Sequence, residues 1–599
     1  MLALAKKSHS NIEQYPERLE AVNNIGQAVE KEGIFVGEHE IEKVLHKEIQ
    51  RAFSSGKNAF LVALDGYILS NWKMVLNIFK HYSDRTGIKL KLFNIDQLKK
   101  SQEELSSIYD EYLGEDPVFG KVYRQGLKNF FDEKKLVEFK KKFVDQKKSK
   151  TKLLIVVYGS GSALAPIRRL YDLVIFADLT REEALKRYKN QGVQFGTQSI
   201  GPKRFYYVDF PACDAHRSYL IPHADYYFDG NNSQYPVMLK VEVLKSIVHR
   251  TASGPFRLKP IYEPGPWGGQ WLKKMRNLPQ DWVNCAWSYE VIAPEMSLYI
   301  SVDGVVLEIP WNLFFDLAYR EIMGNVPKNR FGGEFPIRFD YLDTMSGGDL
   351  SIQVHPTTSY IKKNFNEHYH QGEMYYIVDC KPNRRVNLGL LEGVSLEEFR
   401  HVAERAEKEG VPFNYEDYVN SVPAKKHDLF MIPPGTVHGS REGLVVLEIS
   451  STTYRYTFKI YDHLRPDLNG VMRPIHIDHA FKVIKPFRRT KWVSKNLKQK
   501  PKILHEGKMF REELIADRPE FFHKVHRITF KGSFSDDTKG RFHVITVVEG
   551  KGIEIISSNN KKMRLGYSET AIIPVKAGKY TMKALDSGQC KVVKALLKR

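Results

Sequence analysis

The residues best suited to chemistry in this chain are metal-ligand types scattered through its second half: Gln353 and His355 in DLSIQVHP, Glu373 in GEMYYIVD, and His438 in FMIPPGTVHG. Side chains two apart on a strand share a face, so Gln353 and His355 project the same way. Glu373 starts a second apolar run 18 residues after His355, and His438 follows the tight turn Pro433-Pro434-Gly435. Two imidazoles, a carboxylate and an amide oxygen suit a borderline divalent ion such as Zn²⁺, one per chain, with a position left for substrate or water. A lone strand histidine is more often packed into a core than bound to a metal. Four ligand types on successive strands of one barrel make a stronger case. The cysteines Cys213, Cys285, Cys380 and Cys590 contribute neither a CxxC pair nor a disulfide framework.

The elements that position these groups change along the chain. At 599 residues it is too long for one ordinary domain of roughly 100–200 residues. Hydrophobic residues at 42% and aromatics at 12% exclude a largely disordered chain. Residues 1–50 read as a helical extension, with apolar positions at helical spacing over Ile41–Phe53. Residues 51–250 alternate strands and helices. The β-branched runs Lys152–Tyr158 and Leu173–Asp178 have the pattern of strands buried on both faces, so this part reads as a doubly wound α/β domain. From 251 short strands take over, among them SLYISVDG, DLSIQVHP and LVVLEIS, interrupted by a helix at Val394–Gly410 with Ser395 as N-cap. Residues 251–490 and 491–599 read as two all-β units, with the basic stretch Lys485–Lys502 as a crossing linker.

In the α/β domain, a strand runs into a Gly-rich turn and a helix at LVALDGYILSNWK, the place where exposed backbone N–H groups bind phosphate. A Walker loop needs a second Gly, then Lys, then Ser or Thr; counted from Gly66, those positions hold Asn71, Trp72 and Lys73. The rest of the domain resembles the P-loop nucleoside and uridine kinase family: VVYGSGSAL looks like its central strand and turn, and DLVIFADLTREEALKRY like its late strand and basic helix. With the phosphate motif broken, the resemblance implies a non-catalytic scaffold, and nucleotide binding is not assigned.

Residues from about 255 to 599 resemble the type I phosphomannose isomerases, which carry two cupin barrels. LSIQVHP, EMYYIVD and IPPGTVHG look like that family's ligand strands and second-histidine turn, PWGG at Pro266–Gly269 like its N-terminal signature, and LEISSTTYRYTFKIYD like its catalytic-arginine segment. The resemblance implies zinc held by Gln353, His355, Glu373 and His438, a catalytic Arg455, a helical insertion near 394–410, a C-terminal cupin without metal, and interconversion of mannose 6-phosphate and fructose 6-phosphate through a cis-enediol. The chain also departs from the family. Gln371 stands where the family commonly has Lys, and the family's VHPDD becomes His355-Pro356-Thr357-Thr358. Arg338 in FPIRF keeps a positive charge where the family has Lys.

The isomerisation needs a cation near the developing oxyanion and a group to shuttle the proton. Arg455 is read as stabilising the enediolate, and Arg338 and Arg441 as binding the substrate phosphate. The general base is left open between Glu448 and a zinc-bound water. The alternative function is a catalytically weakened metal-binding cupin that senses a sugar phosphate, which Gln371 favours. The net charge of +20 agrees with an anionic small-molecule partner. Basic runs at Lys140–Lys152 and Lys485–Lys502 have few interleaved aromatics and read as solvated faces or linker, not as nucleic-acid sites. The N-terminal MLALAKKSHSNIEQ lacks the apolar core of a signal peptide, and no stretch approaches the roughly 18 uncharged apolar residues of a membrane span. The chain reads as cytoplasmic; no oligomeric state is read from it.

Overall fold

The computed structural model describes residues 21–26, 32–148, 151–191, 202–291, 294–453 and 455–598. The N-terminal segment read for a signal peptide and part of the 1–50 extension lie outside these residues, as do two positions of the Lys140–Lys152 run. The chain divides into two compact units: Met1–Thr251 with Ser297–Ala318, and Ala252–Met296 with Tyr319–Arg599.

In the first unit, five strands form a parallel core in the order Tyr226–Asp229, Leu173–Asp178, Ala59–Gly66, Leu153–Tyr158, Lys89–Asn94. Ile34–Val36 and Val237–Lys240 extend the sheet antiparallel at one edge. Ala59–Gly66 is buried along its whole length, as a strand covered on both faces must be. The helix Glu38–Ser54 lays Ile41, Leu45 and Ile49, all fully buried, against Phe60, Val62 and Leu64 of that strand. Each such side chain contributes about 1.5–3 kcal/mol of transfer free energy. Two expectations change here. The segment before residue 50 is not all helix, because Val22–Asn24 and Ile34–Val36 are strands. SLYISVDG belongs to this unit and not to the all-β part. Its hairpin, Ser297–Val302 with Val305–Pro310, pairs with Val22–Asn24, and Asp229 accepts from the Glu308 N–H at 2.9 Å.

The second unit holds two barrels. The first stacks a six-stranded sheet (Leu429–Ile432, Glu373–Cys380, Leu444–Ser451, Ile337–Asp343, Trp287–Val291, Ile261–Glu263) on a five-stranded one (Val419–Pro423, Arg385–Leu390, His438–Ser440, Ile352–Val354, Phe458–Tyr461). The insertion is a helix at Leu396–Glu409. Ser395 Oγ accepts from Glu398 N at 3.2 Å, and Gly410 closes the other end at φ 68°. The second barrel pairs a six-stranded sheet running from Lys502–Gly507 to Thr570–Ile573 with a four-stranded one.

The expected linker at Lys485–Lys502 is instead a packed strap. It contains a helix at Thr490–Asn496, so a domain boundary at 490 falls on that helix and not in a loop. The Arg488 guanidinium is buried and donates through Nη1 to Pro433 O at 2.7 Å, Pro434 O at 2.6 Å and Thr436 Oγ1 at 2.6 Å. Its charge is held by this ring of oxygens, which sequence composition does not reveal. The turn it grips needs Gly435: φ is +86°, and a Cβ there would stand 2.6 Å from Val483 O.

Candidate metal centre

The strand pairing brings the four ligand-type residues together. Gln353 lies directly opposite His438 on neighbouring strands of the five-stranded sheet, and Glu373 enters from the six-stranded sheet. His355 Nε2 and His438 Nε2 each lie 2.9 Å from Glu373 Oε2, and the two imidazole centroids are 4.9 Å apart. Gln353 Nε2 is 3.2 Å from His438 Nε2, and Gln353 Oε1 accepts from Ser351 Oγ at 3.0 Å. All of these side chains are buried.

The far sides of the rings fix what the near sides present. His355 Nδ1 is 3.3 Å from Tyr456 O, and His438 Nδ1 is 2.9 Å from Thr436 O. A carbonyl oxygen can only accept, so each Nδ1 carries the proton and each Nε2 turns a lone pair inward. Three atoms with lone pairs then converge with no proton among them, a donor set that fits a shared cation. His355, Glu373 and His438 offer ligand atoms within 4.8 Å of one another, the one such group among the described residues.

Beside this cluster lies a buried charge network that sequence reading found only in part. Arg338 and Asp340 alternate on one strand, and Glu448 and Ser450 on the strand next to it, which pairs in turn with Glu373. Arg338 Nη1 donates to Glu448 Oε1 at 2.8 Å, and Nη2 lies 3.1 Å from Asp340 Oδ2. Gln371 Nε2 and Ser450 Oγ also donate to Glu448 Oε1, at 3.2 Å and 2.9 Å. Burial drives the Asp340 carboxyl up to about 7, with Arg338 opposing and Glu373 adding. Burial likewise raises Glu448 well above the usual range. Asp340 had a legible signal: two charges two apart within an apolar strand, FPIRFDYLD, mark a polar interior face.

Two expected residues sit elsewhere. Arg441 bonds Asn387 Oδ1 at 2.7 Å and Glu416 Oε1 at 2.6 Å with its guanidinium over the Tyr415 ring, and none of these belongs to the cluster. It follows His438 by three positions, an odd step that reverses direction on an extended chain. Arg455 follows the strand that carries Glu448. That strand ends at Ser451, and Arg455 lies in the loop before Phe458–Tyr461, where it donates to Glu295 Oε1 at 2.6 Å. The neighbouring Tyr454 is outside the described residues. The loop still adjoins the cluster, because the Tyr456 carbonyl orients His355.

Residues 39–253 match a family model described as a domain of unknown function, DUF8485. Other matches are to isomerases. Mannose-6-phosphate isomerase ManA of Bacillus subtilis is 26% identical over 305 residues, 50% of this chain and 86% of the relative. Mannose-6-phosphate isomerase of Streptococcus mutans is 25% identical over 50% of this chain and 86% of its own. A solved structure, mannose 6-phosphate isomerase from Bacillus subtilis, is similar over 57% of this chain and 99% of its own at 20% identity and a TM-score of 0.47. The Bacillus subtilis protein named "Probable mannose-6-phosphate isomerase GmuF" is 31% identical over 237 residues, 38% of this chain and 68% of that relative. By that match the chain belongs to the mannose-6-phosphate isomerase family.

Proposed function

We propose that the second unit is a metal-dependent aldose–ketose isomerase of sugar phosphates, interconverting mannose 6-phosphate and fructose 6-phosphate with one Zn²⁺ held by Gln353, His355, Glu373 and His438. The observation that carries this reading is the convergence of two imidazole lone pairs on the Glu373 carboxylate. The names of the relatives support the substrate. Bound there, the ion would supply Lewis acidity at the sugar's C1–C2 oxygens. The rest falls to the chain itself. Arg455 holds the developing enediolate more strongly than the neutral sugar, Arg338 beside the cluster is the cation for the phosphate, and Glu448 is the carboxyl nearest the cluster suited to holding the transferred proton.

One observation favours the sensor reading. Arg338, Arg441 and Arg455 are each already ion-paired with a carboxylate, so a phosphate must compete with Glu448, Glu416 and Glu295. Metal analysis of the purified protein together with a mannose 6-phosphate isomerase assay decides between the two. Bound zinc with turnover supports the enzyme; bound zinc and saturable sugar-phosphate binding without turnover supports the sensor; absence of metal overturns both.

For the first unit we propose a degenerate P-loop scaffold without kinase activity. Asp65, at the end of the strand before that turn, is engaged by the protein's own N–H groups: its carboxylate accepts from Gly66 N at 2.6 Å, Gly161 N at 2.9 Å and Ala163 N at 2.7 Å. Trp72 and Lys73 replace the lysine and hydroxyl that would hold outer phosphates and Mg²⁺. Phosphorylation of a nucleoside or sugar by ATP that vanishes with Lys73→Ala overturns this.

A further inference from the structure

The C-terminal barrel contributes nothing to the metal cluster, yet its interior is polar. Lys594 Nζ lies 2.9 Å from Glu512 Oε1 and 2.5 Å from Asp536 Oδ2. His526, directly across the sheet from Lys594, bonds Glu512 Oε1 through Nδ1 at 2.7 Å. The Tyr580 hydroxyl donates to Asp536 Oδ2 at 3.1 Å and accepts from His543 Nδ1 at 2.8 Å. Six strands from both sheets thus aim charged or polar groups at one spot, at a desolvation cost that a purely packing barrel has no reason to carry. Above the spot opens a cavity of about 660 Å³, lined by Glu512, Asp536, Tyr580, Phe534, Ser557 and Thr581 among others. That volume lies within the roughly 300–1,000 Å³ of small-molecule sites. Among the described residues nothing donates to the second oxygen of Glu512, Oε2.

The chemistry of the floor selects the ligand. Two carboxylates face one ammonium, and burial keeps both imidazoles neutral, with His543 down at about 3. Asp537, Lys539 and Lys579 on the wall bring the whole to charge balance, so the cavity holds no excess of positive charge for a phosphate. A divalent cation is excluded differently: the point where the two carboxylates converge is already taken by Lys594. What remains is a ligand whose hydroxyl groups donate to carboxylate oxygens while its C–H face rests on the Phe534 ring. We propose that the C-terminal barrel binds a neutral, hydroxyl-rich ligand, an unphosphorylated mono- or short oligosaccharide, in the cavity floored by Glu512, Asp536 and Tyr580.

Titration calorimetry on the full chain tests this with three probes: D-mannose, a β-linked mannobiose and inorganic phosphate. Saturable binding of a neutral sugar at or below about 10 mM is expected, with no phosphate binding at this site. Glu512→Gln should weaken sugar binding at least about tenfold, as loss of a charged hydrogen-bond acceptor does. Ser535→Trp, which leaves the floor intact and crowds the cavity wall, should abolish it even if Glu512→Gln fails to fold. His355→Ala should leave it unchanged, which separates this site from the metal centre and from the isomerase reading. No neutral-sugar binding overturns the proposal, and so does binding that survives Ser535→Trp but disappears with His355→Ala.

Discussion

Asp65 in the first unit and Glu373 in the second are both carboxylates withdrawn from solvent, at 0% and 1% exposure. Their surroundings are opposite in kind. Asp65 is ringed by donors: three backbone N–H groups and His216 Nε2 at 2.9 Å. Glu373 faces two imidazole nitrogens whose protons are committed to backbone carbonyls on the far side. A buried carboxylate saturated with donors has spent its binding capacity on the fold. One ringed by lone pairs needs something from outside the chain. The contrast separates a carboxylate built into the fold from one that suits a cation more sharply than burial does, because both groups are buried.

The largest effect should come from removing a member of the acceptor ring. His438→Ala is expected to lower zinc affinity at least about 100-fold and to abolish isomerase turnover, read by metal content after dialysis and by activity. If the metal stays bound at full stoichiometry, the ring is not the site. Arg455→Ala should reduce kcat by about 10²–10³ while zinc remains, because a contact made chiefly in the transition state is lost. Arg455→Lys should recover only part of this, since a point charge does not reproduce the guanidinium fork. Unchanged kcat in Arg455→Ala would remove this residue from the chemistry.

The donor ring should behave differently. Asp65→Ala orphans several buried N–H groups, each costing about 1–3 kcal/mol, so the first unit's unfolding transition should fall in temperature while metal content and isomerase activity stay as they were. A loss of activity on this substitution would show that the two regions are not independent. The smallest effect is in acid. Burial pushes the Glu512 carboxyl up, but His526 and Lys594 overcome it and hold it at about 2. The folded value lies below the unfolded one, so the group stabilises the fold above about pH 4.3 and loses that contribution as pH falls toward 2. Acid unfolding followed by circular dichroism should therefore be shallower in Glu512→Gln.

The convergence of the four ligand-type residues was legible because strand alternation and a Pro-Pro-Gly turn leave little freedom: Gln353 and His355 share a face wherever that strand lies. The helix at Leu396–Glu409 was legible from its cap and its period. Arg441 and Arg455 were harder to place from spacing alone. Arg441 is a basic residue suited to a phosphate by type, but an odd step from His438 carries it to Glu416. Arg455 follows Ser451, Thr452 and Thr453, residues that suit a strand, yet the pairing partners Ile337 and Gly372 run out at Ser451. A partner's length is a tertiary fact and leaves no mark on the strand it limits. Arg488 was hidden for a related reason, because a basic stretch reads as solvated until the oxygens it grips are known.

The hold of Arg488 on the Pro433-Pro434-Gly435 turn bears on how this protein can be divided or inherited. A fragment ending at residue 484 would keep all four ligand-type side chains and most of the first barrel. It would also release the oxygens of Pro433, Pro434 and Thr436 from their guanidinium, and with Thr436 the carbonyl that orients the His438 ring. The first barrel is therefore modular only together with the strap behind it, and the earliest joint open to fission, fusion or circular permutation lies beyond Asn496, where the helix has ended and the next strand has not begun.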